Sequence, residues 1–135
     1  MPRVMITGSR EWRDGNVIAE AFTVFERAHS DGTPWVLIHG DARGADRLGA
    51  HAARELGWAV LGFPAEWSRY GRAAGTIRNI QMLDESPDFV LAFPTSSSRG
   101  TWHAVKEAEK RRIPVTVYNE TGSPPWSDTI GRLGY

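Results

Sequence analysis

The chain has 135 residues, no cysteine, and 16 basic against 16 acidic residues, so its formal net charge is zero. This length suits one domain that buries roughly two-thirds of its unfolded surface. The lack of cysteine excludes a disulfide framework and thiolate chemistry, and charge neutrality argues against a general nucleic-acid binder, which should be basic. No apolar run approaches the roughly 20 residues that span a bilayer, and a strand-like segment follows Met1 at once. We therefore expect a cytoplasmic protein with no signal peptide and no membrane partner.

The first half of the chain alternates short apolar strands with amphipathic helices. Residues 4–7 and 35–39 are strand-length apolar runs, and each ends at a glycine-containing turn. Asp14 or Asn16 can cap a first helix. A second helix runs from about residue 45 to residue 56, and a third strand covers residues 58–63. The first helix is predicted from an apolar stripe: Val17, Ile18, Ala21, Phe22, Val24, Phe25 and Ala28.

The second half continues this alternation after a long polar loop over residues 64–75. A helix over residues 76–85 ends before Pro87, and a fourth strand begins at residue 88. Residues 95–101 form a small-residue loop, a last helix covers residues 102–112, and a fifth strand covers residues 113–118. We expect one domain over residues 1–118 and an irregular arm over residues 119–135. The helix over residues 76–85 should turn four apolar side chains inward: Ile77, Ile80, Met82 and Leu83.

Five apolar strands alternating with four helical segments predict an α/β fold, with a parallel five-stranded sheet covered on both faces. Right-handed crossovers favour the strand order 3-2-1-4-5. In that order the first and fourth strands are neighbours whose helices leave on opposite faces. A crevice should therefore open at their carboxyl ends, where open sheets bind ligands.

The loop between the fourth strand and the last helix predicts a phosphate site at this crevice. Free backbone amides, the positive end of a helix dipole and several hydroxyl groups would meet there. We predict that the ligand-binding residues of this loop are Pro94, Ser96, Ser97, Ser98, Arg99, Gly100 and Thr101.

The turn Gly8-Ser9-Arg10 should face that loop across the crevice. It offers close backbone approach, a hydroxyl group and a guanidinium that can pair bidentately with phosphate. The alternative is an ordinary strand-to-helix turn with a solvated arginine. No G-x-G-x-x-G dinucleotide fingerprint follows the first strand.

The loop after the second strand should lie beside the first turn. Its candidate ligand-binding residues are Gly40, Asp41, Arg43, Gly44 and Asp46. Asp46 either stabilises the start of the next helix through the helix dipole, or accepts hydrogen bonds from ribose hydroxyls, or orders Arg10 or Arg43. The histidines are scattered and no ligand spacing occurs, so we predict neither a metal site nor a cofactor.

Arg78 and Asn79 lie early in the helix predicted over residues 76–85. A cation in a first helical turn opposes the helix dipole, which indicates a bound anion or a carboxylate partner rather than a plain solvated face. Trp67 and Tyr70 could stack on a base, although aromatic residues in long loops also serve as lids or subunit contacts.

Several motifs occur together in a specific order. They are His-Gly-x-Ala-Arg-Gly-Ala-Asp from His39, Pro-Ala-x-Trp from Pro64, Ala-Gly-x-x-Arg-Asn-x-x-Met from Ala74, Pro-Asp-x-Val-Leu-Ala-Phe-Pro from Pro87, then Gly-Thr and Ile-Pro-Val. This pattern closely resembles the YspA-like branch of the SLOG superfamily, which joins the Smf/DprA proteins to the "Lonely Guy" phosphoribohydrolases. The resemblance runs from residue 4 to about residue 118. It implies a Rossmann-like three-layer sandwich that binds nucleotides or nucleotide-derived molecules, and it identifies no defined reaction.

The phosphoribohydrolases cleave the N-glycosidic bond of nucleoside monophosphates and carry Arg-Lys-x-x-Met and Pro-Gly-Gly-x-Gly-Thr-x-x-Glu, whose Arg and Glu are catalytic. Residues 78–82 match the first motif except at Asn79, but the spacer in the second is two residues longer and Ala104 stands at the glutamate position. Such cleavage needs a carboxylate near the sugar. Asp41, Asp46 or Glu11 could supply it, so the catalytic candidates are Arg78, Asp46 and Asp41, and an enzyme remains an open alternative.

Three functions are therefore weighed. The first is a domain that binds or senses a nucleotide or nucleotide-derived ligand, and the second is a phosphoribohydrolase-like N-glycosidase. The third is a DNA-associated Smf/DprA-like protein, which the neutral charge disfavours. Relatives in this superfamily are often dimers, and the chain has many tryptophans, so we expect a homodimer or higher homo-oligomer. The tryptophans in question are Trp58, Trp67, Trp102 and Trp126.

Overall fold

The computed structural model of the protein describes residues 2–29, 31–96 and 98–120. A five-stranded, all-parallel sheet with the order β3-β2-β1-β4-β5 forms its centre. The predicted α/β fold and strand order are therefore confirmed. The strands are β1 (Arg3–Gly8), β2 (Val36–His39), β3 (Ala59–Gly62), β4 (Phe89–Phe93) and β5 (Val115–Val117).

Helices cover both faces of the sheet and make a three-layer sandwich. Successive residues of β1 point to opposite faces. Val4 and Ile6 join the core under the first two helices, whereas Met5 joins the core under the last two. The helices are α1 (Gly15–His29), α2 (Ala45–Glu55), α3 (Trp67–Tyr70), α4 (Ala74–Leu83) and α5 (Arg99–Lys110), with a 3₁₀ turn over Gly71–Ala73 between α3 and α4.

Two of the predicted element boundaries are wrong in ways that matter for function. The segment predicted as a loop over residues 64–75 contains α3, the 3₁₀ turn and the start of α4. Helix α5 begins at Arg99 and not at residue 102, so residues 99–101 belong to its first turn. Glycine and threonine are poor helix formers, so the sequence does not indicate that Gly100 and Thr101 belong to the first turn of α5.

The predicted apolar faces of two helices are also partly wrong. In α1, Asp14 accepts hydrogen bonds from the amides of Asn16 and Val17 and so caps the helix, but Val24 is 57% exposed. In α4, Asn79 is buried while Ile77 and Ile80 are only half-buried. The buried residues of α4 are Ala74, Asn79, Met82 and Leu83, of which Met82 and Leu83 pack in the core with Met5 and Ile38 of the sheet.

The sheet ends at Val117, close to the predicted domain boundary. The predicted arm lies outside the described residues from residue 121 onward, and so does Trp126. Within the described part of the chain, no helix has the length and apolar character needed to cross a membrane. Trp58 is 5% exposed and belongs to the core, so it lends no support to a subunit contact.

Candidate functional site

Three loops meet at the carboxyl edge of the sheet, as the strand order predicts. Gly8 is in register with Phe93 in the neighbouring strand. The Ser9 amide donates a 3.0 Å hydrogen bond to the Phe93 carbonyl, and the Ala45 amide donates one of the same length to the Ser9 carbonyl. The turn after β1 is therefore bonded to the end of β4 on one side and to the start of α2 on the other.

Hydroxyl groups add one further bond between two of these loops and two bonds within them. Thr95 Oγ1 donates to Ser9 Oγ at 2.7 Å, and the Glu11 amide donates to the same Ser9 oxygen at 2.9 Å. The Thr95 amide donates to Ser98 Oγ at 2.8 Å. Both serines are buried, at 4% and 7% exposure. Because their oxygens already accept these bonds, Ser9 and Ser98 hold the loops in place around the crevice.

A cavity of about 410 Å³ opens between the turn after β1 and the first turn of α5. We call it the inner cavity. The first amides of a helix have no acceptor within the helix, and no side chain caps α5. Ten of the predicted ligand-binding residues line the inner cavity: Gly8, Ser9, Arg10, Asp46, Arg78, Asn79, Ser98, Arg99, Gly100 and Thr101.

A second cavity of about 410 Å³ adjoins the first, and we call it the outer cavity. The two cavities share Arg10, Ala42, Trp67 and Arg78. Arg10 lies over the Trp67 ring, with its Cζ atom 5.4 Å from the ring centroid. The predicted residues that line the outer cavity are Arg10, Gly40, Asp41, Arg43 and Arg78.

Arg78 forms part of the wall of both cavities. Because α4 begins at Ala74, Arg78 lies in the second turn, and the argument from an opposed helix dipole was wrong. The guanidinium instead joins α4 to the loop after β2, since Nη1 donates to the Gly40 carbonyl at 2.7 Å, while Nε donates to Asn79 Oδ1 of the same helix at 3.1 Å. Burial lowers the pKa of Arg78, the Asp46 carboxylate raises it, and the charge of Arg10 lowers it.

Asn79 connects Arg78 to the first turn of α5. Its side chain is 3% exposed. While its oxygen accepts the Arg78 bond, its Nδ2 donates to the Gly100 carbonyl at 3.2 Å and lies 3.2 Å from His103 Nδ1. Asn79 therefore fixes the arginine relative to the amides of α5, and its burial makes it a supporting residue.

Asp46 is buried behind the loop after β2 and accepts a backbone hydrogen bond from it. It is 5% exposed, and its Oδ2 accepts the Gly40 amide at 2.9 Å. Burial raises its pKa to about 6, against the opposing effects of the Arg78 charge and of backbone hydrogen bonds from Gly40 and Ala42. The charge that most opposes the raised pKa of Asp46 is thus that of Arg78.

The guanidiniums of Arg10 and Arg43 contact other side chains. Arg10 lies over Trp67, and Arg43 Nη2 forms a 3.0 Å ion pair with Glu11 Oε2. Asp46 also lies in the first turn of α2, where a negative charge is favoured by the helix dipole.

The raised pKa predicts a specific pH dependence of stability. Between the ordinary value of 3.8 and the folded value of about 6, the folded protein retains the Asp46 proton that the unfolded chain releases. The stability contribution of Asp46 therefore falls as the pH rises through this window. Relative to Asp46→Asn, which cannot ionise, the protein should lose roughly 3 kcal/mol of unfolding free energy. Urea titrations of both proteins across the window test this, and parallel pH profiles would contradict it.

Three predicted binding residues line neither cavity: Gly44, Pro94 and Ser96. Ser97 lies outside the described residues. Pro94 is buried. Gly44 has a φ of 78°, and an added Cβ would meet the Ser9 carbonyl and the Arg10 backbone. Gly44 is therefore a packing position between two loops.

Sequence reasoning missed several residues of the cavity walls. Arg72, Gly75 and Thr76 line the inner cavity because the segment predicted as an open loop folds into helix over the crevice. Arg47 lines the outer cavity. Arg43 lies before α2 begins at Ala45, so no helical spacing in the sequence marked Arg47.

Ala104 occupies the position at which the phosphoribohydrolases carry their catalytic glutamate, three residues after Thr101, and it does not face the crevice. Ala104 is fully buried and packs with Met5 and Met82 in the core beneath α4 and α5. Among residues 2–29, 31–96 and 98–120, no three His, Asp or Glu side chains gather closely enough to hold a metal ion.

Comparisons with known proteins agree with the motif pattern. The model of a family described as "YspA, cpYpsA-related SLOG family" matches residues 2–70. The chain is similar to the "Gene 61 protein" of Mycobacterium phage D29, with 38% identity over 125 residues, which cover 89% of this chain and 98% of the phage protein. No solved structure matches the chain.

Proposed function

Because the chain belongs to the YspA, cpYpsA-related SLOG family, we propose that it binds a nucleotide or nucleotide-derived ligand and holds a phosphate at the carboxyl ends of β1 and β4. The phosphate accepts hydrogen bonds from the first amides of α5. Arg78 supplies charge, and the ribose lies in the inner cavity toward Asp46. The base stacks on Trp67 at the boundary between the cavities.

The observation that carries this proposal is the charge of the inner cavity. The chain as a whole has a net charge of zero. The inner cavity, however, is lined by Arg10, Arg72, Arg78 and Arg99 against the carboxylates of Glu11 and Asp46. Asp46 is buried next to Gly40 and faces the Arg78 charge, which leaves an excess of guanidinium around free helix amides. Both features favour a bound anion.

Calorimetric titration with the 5′-mono- and diphosphates of the common nucleosides tests the proposal. We expect saturable binding of at least one nucleotide, weakened by added salt. Oligonucleotides serve as a second set of probes, because tight and salt-dependent binding of single strands in preference to free nucleotides would instead favour the DNA-associated alternative. A folded protein that binds no nucleotide would contradict the proposal.

Trp67 should contribute to nucleotide affinity through base stacking. The residue is 49% exposed and borders both cavities. Stacking of a base on an aromatic ring is worth about 1–3 kcal/mol, so Trp67→Ala should weaken nucleotide binding about tenfold. Trp102→Ala is a matched control, because Trp102 is 41% exposed and lines neither cavity. Equal losses in the two variants would exclude a stacking role for Trp67.

One observation favours the N-glycosidase as a second candidate function. Asp46 lines the inner cavity, and its pKa of about 6 suits proton transfer near neutral pH. Asp41 is a second carboxylate at the neighbouring loop. Release of free base from nucleoside monophosphates, abolished by Asp46→Asn or Asp41→Asn while nucleotide binding persists, would support an enzyme. Binding without base release would support a ligand-binding domain.

A further inference from the structure

The outer cavity is not used by the phosphate site proposed above, and its wall carries an excess of positive charge. Its charged residues are Arg10, Arg43, Arg47 and Arg78 against Asp41. Trp67 is the aromatic residue of this wall, and it stands on the boundary with the inner cavity. This composition suits an anion better than a second base.

The two cavities are arranged so that one ligand can occupy both. The inner cavity, at about 410 Å³, lies within the usual range of ligand pockets, roughly 300–1,000 Å³, and can accommodate a nucleoside monophosphate by itself. The Arg78 guanidinium borders both cavities while its Nη1 and Nε donate to Gly40 and Asn79. Nη2 is the donor nitrogen that these two bonds leave available for a ligand.

Two arginines of the outer cavity are held there by exposed carboxylates. Arg47 Nε lies 3.5 Å from Asp41 Oδ1, and Arg43 Nη2 lies 3.0 Å from Glu11 Oε2. The side chains in these pairs are between 48% and 65% exposed. Exposed ion pairs of this kind contribute about 0–1 kcal/mol. A phosphate oxygen can therefore replace a carboxylate oxygen in either pair with little loss of free energy.

We infer that the ligand is a nucleotide with a second anionic group, such as a nucleoside diphosphate or a diphosphate-linked derivative. Its first phosphate lies in the inner cavity, and its second anionic group passes Arg78 and meets Arg47 in the outer cavity. This inference rests on the proposed function, since it adds a second contact region to the same site.

Calorimetric titrations with the 5′-monophosphates and 5′-diphosphates of adenosine, guanosine, cytidine and uridine test the inference. A chelator should be present so that metal–diphosphate complexes do not form. For the nucleoside that binds, the diphosphate should bind about tenfold more tightly than the monophosphate, the magnitude expected of a charge-assisted contact. Arg47→Gln should abolish this difference and leave monophosphate affinity unchanged. Arg27→Gln removes an exposed arginine in the last turn of α1 and should change neither affinity.

The possible failures of the two proposals can be told apart. If monophosphates bind as tightly as diphosphates, or if Arg47→Gln weakens both equally, the inference is overturned and the phosphate site remains. If no nucleotide binds to the folded protein, both proposals fall. The thermal unfolding of Arg47→Gln should match that of the unsubstituted protein, because the Arg47 side chain is 64% exposed and its pair with Asp41 is weak.

Discussion

Arg78→Ala should weaken nucleotide binding by at least an order of magnitude. The guanidinium borders both cavities and is already oriented by the Gly40 carbonyl and by Asn79, so little side-chain entropy is lost when a phosphate binds. A hydrogen bond to a charged group contributes about 1.5–3 kcal/mol, which corresponds to a factor of ten or more in affinity. Calorimetric titration with the nucleotide that binds best measures the loss.

Two further variants separate the charge of Arg78 from its geometry. Arg78→Lys keeps a cation but cannot donate to the Gly40 carbonyl, to Asn79 and to a ligand from one planar group, so it should restore little of the affinity. Arg27→Ala is the matched control for removal of an exposed arginine. Because Asp46 is buried beside the same loop, unfolding of each variant must be followed as well. Full affinity in a stably folded Arg78→Ala protein would contradict the proposed site.

Gly44→Ala should cause the largest loss of stability at this edge of the sheet. The backbone at Gly44 has φ 78° and ψ −129°, a region that residues with a Cβ rarely occupy. A Cβ at this position would also press against the Ser9 carbonyl and the Arg10 backbone. Backbone strain and overpacking together should destabilise the protein by about 2–5 kcal/mol. Urea denaturation measures the loss.

Gly57→Ala provides the control for this prediction. Gly57 also has a positive φ, 80°, but an added Cβ there would meet nothing within 4 Å. Its substitution therefore reports strain alone, about 1–2 kcal/mol. The additional loss of unfolding free energy in Gly44→Ala, relative to Gly57→Ala, measures the close contact between the loop after β2 and the turn after β1. If Gly57→Ala were the more destabilising change, the close packing of these two loops would be refuted.

Homo-oligomerisation remains a prediction from the sequence. Trp67 and Trp102 are large exposed aromatic residues, whereas Trp58 stacks with Phe22 and Trp35 inside the core. Among the tryptophans that the structure describes, Trp67 and Trp102 can therefore serve a subunit contact, and we propose a ligand-binding role for Trp67. Sedimentation of the Trp102→Ala variant beside the unsubstituted protein tests whether that surface joins two copies.

The sheet and its strand order could be predicted from the sequence because each strand is a short apolar run with a turn at its end. A parallel strand buried on both faces must be apolar along its whole length, and the crossovers between such strands are right-handed. These two conditions leave few arrangements, so the meeting of the loops after β1, β2 and β4 followed from the pattern alone.

The helix ends could not be predicted as well, because local composition is a weak guide to them. Gly100 and Thr101 are ordinary loop residues by propensity, yet they lie within α5. Likewise, the polar residues around Trp67 indicated a loop where the structure has α3 and a 3₁₀ turn. In α5 the burial of Thr101, which is 3% exposed, outweighs propensity, whereas α3 and the 3₁₀ turn contain no buried residue.

By itself, then, the sequence determined the family, the parallel sheet and the edge at which small-residue loops gather. Only the tertiary structure decided that Thr95 bonds its loop to Ser9 of the turn after β1, that Asp46 is buried near Arg78, and that a second cationic cavity adjoins the first. The physical reason for this difference is that the hydrophobic pattern of a strand or helix depends on which of its own faces is buried, so it can be recognised in each segment separately. Hydrogen bonds and cavities depend on distances of a few ångströms between side chains that are far apart along the chain.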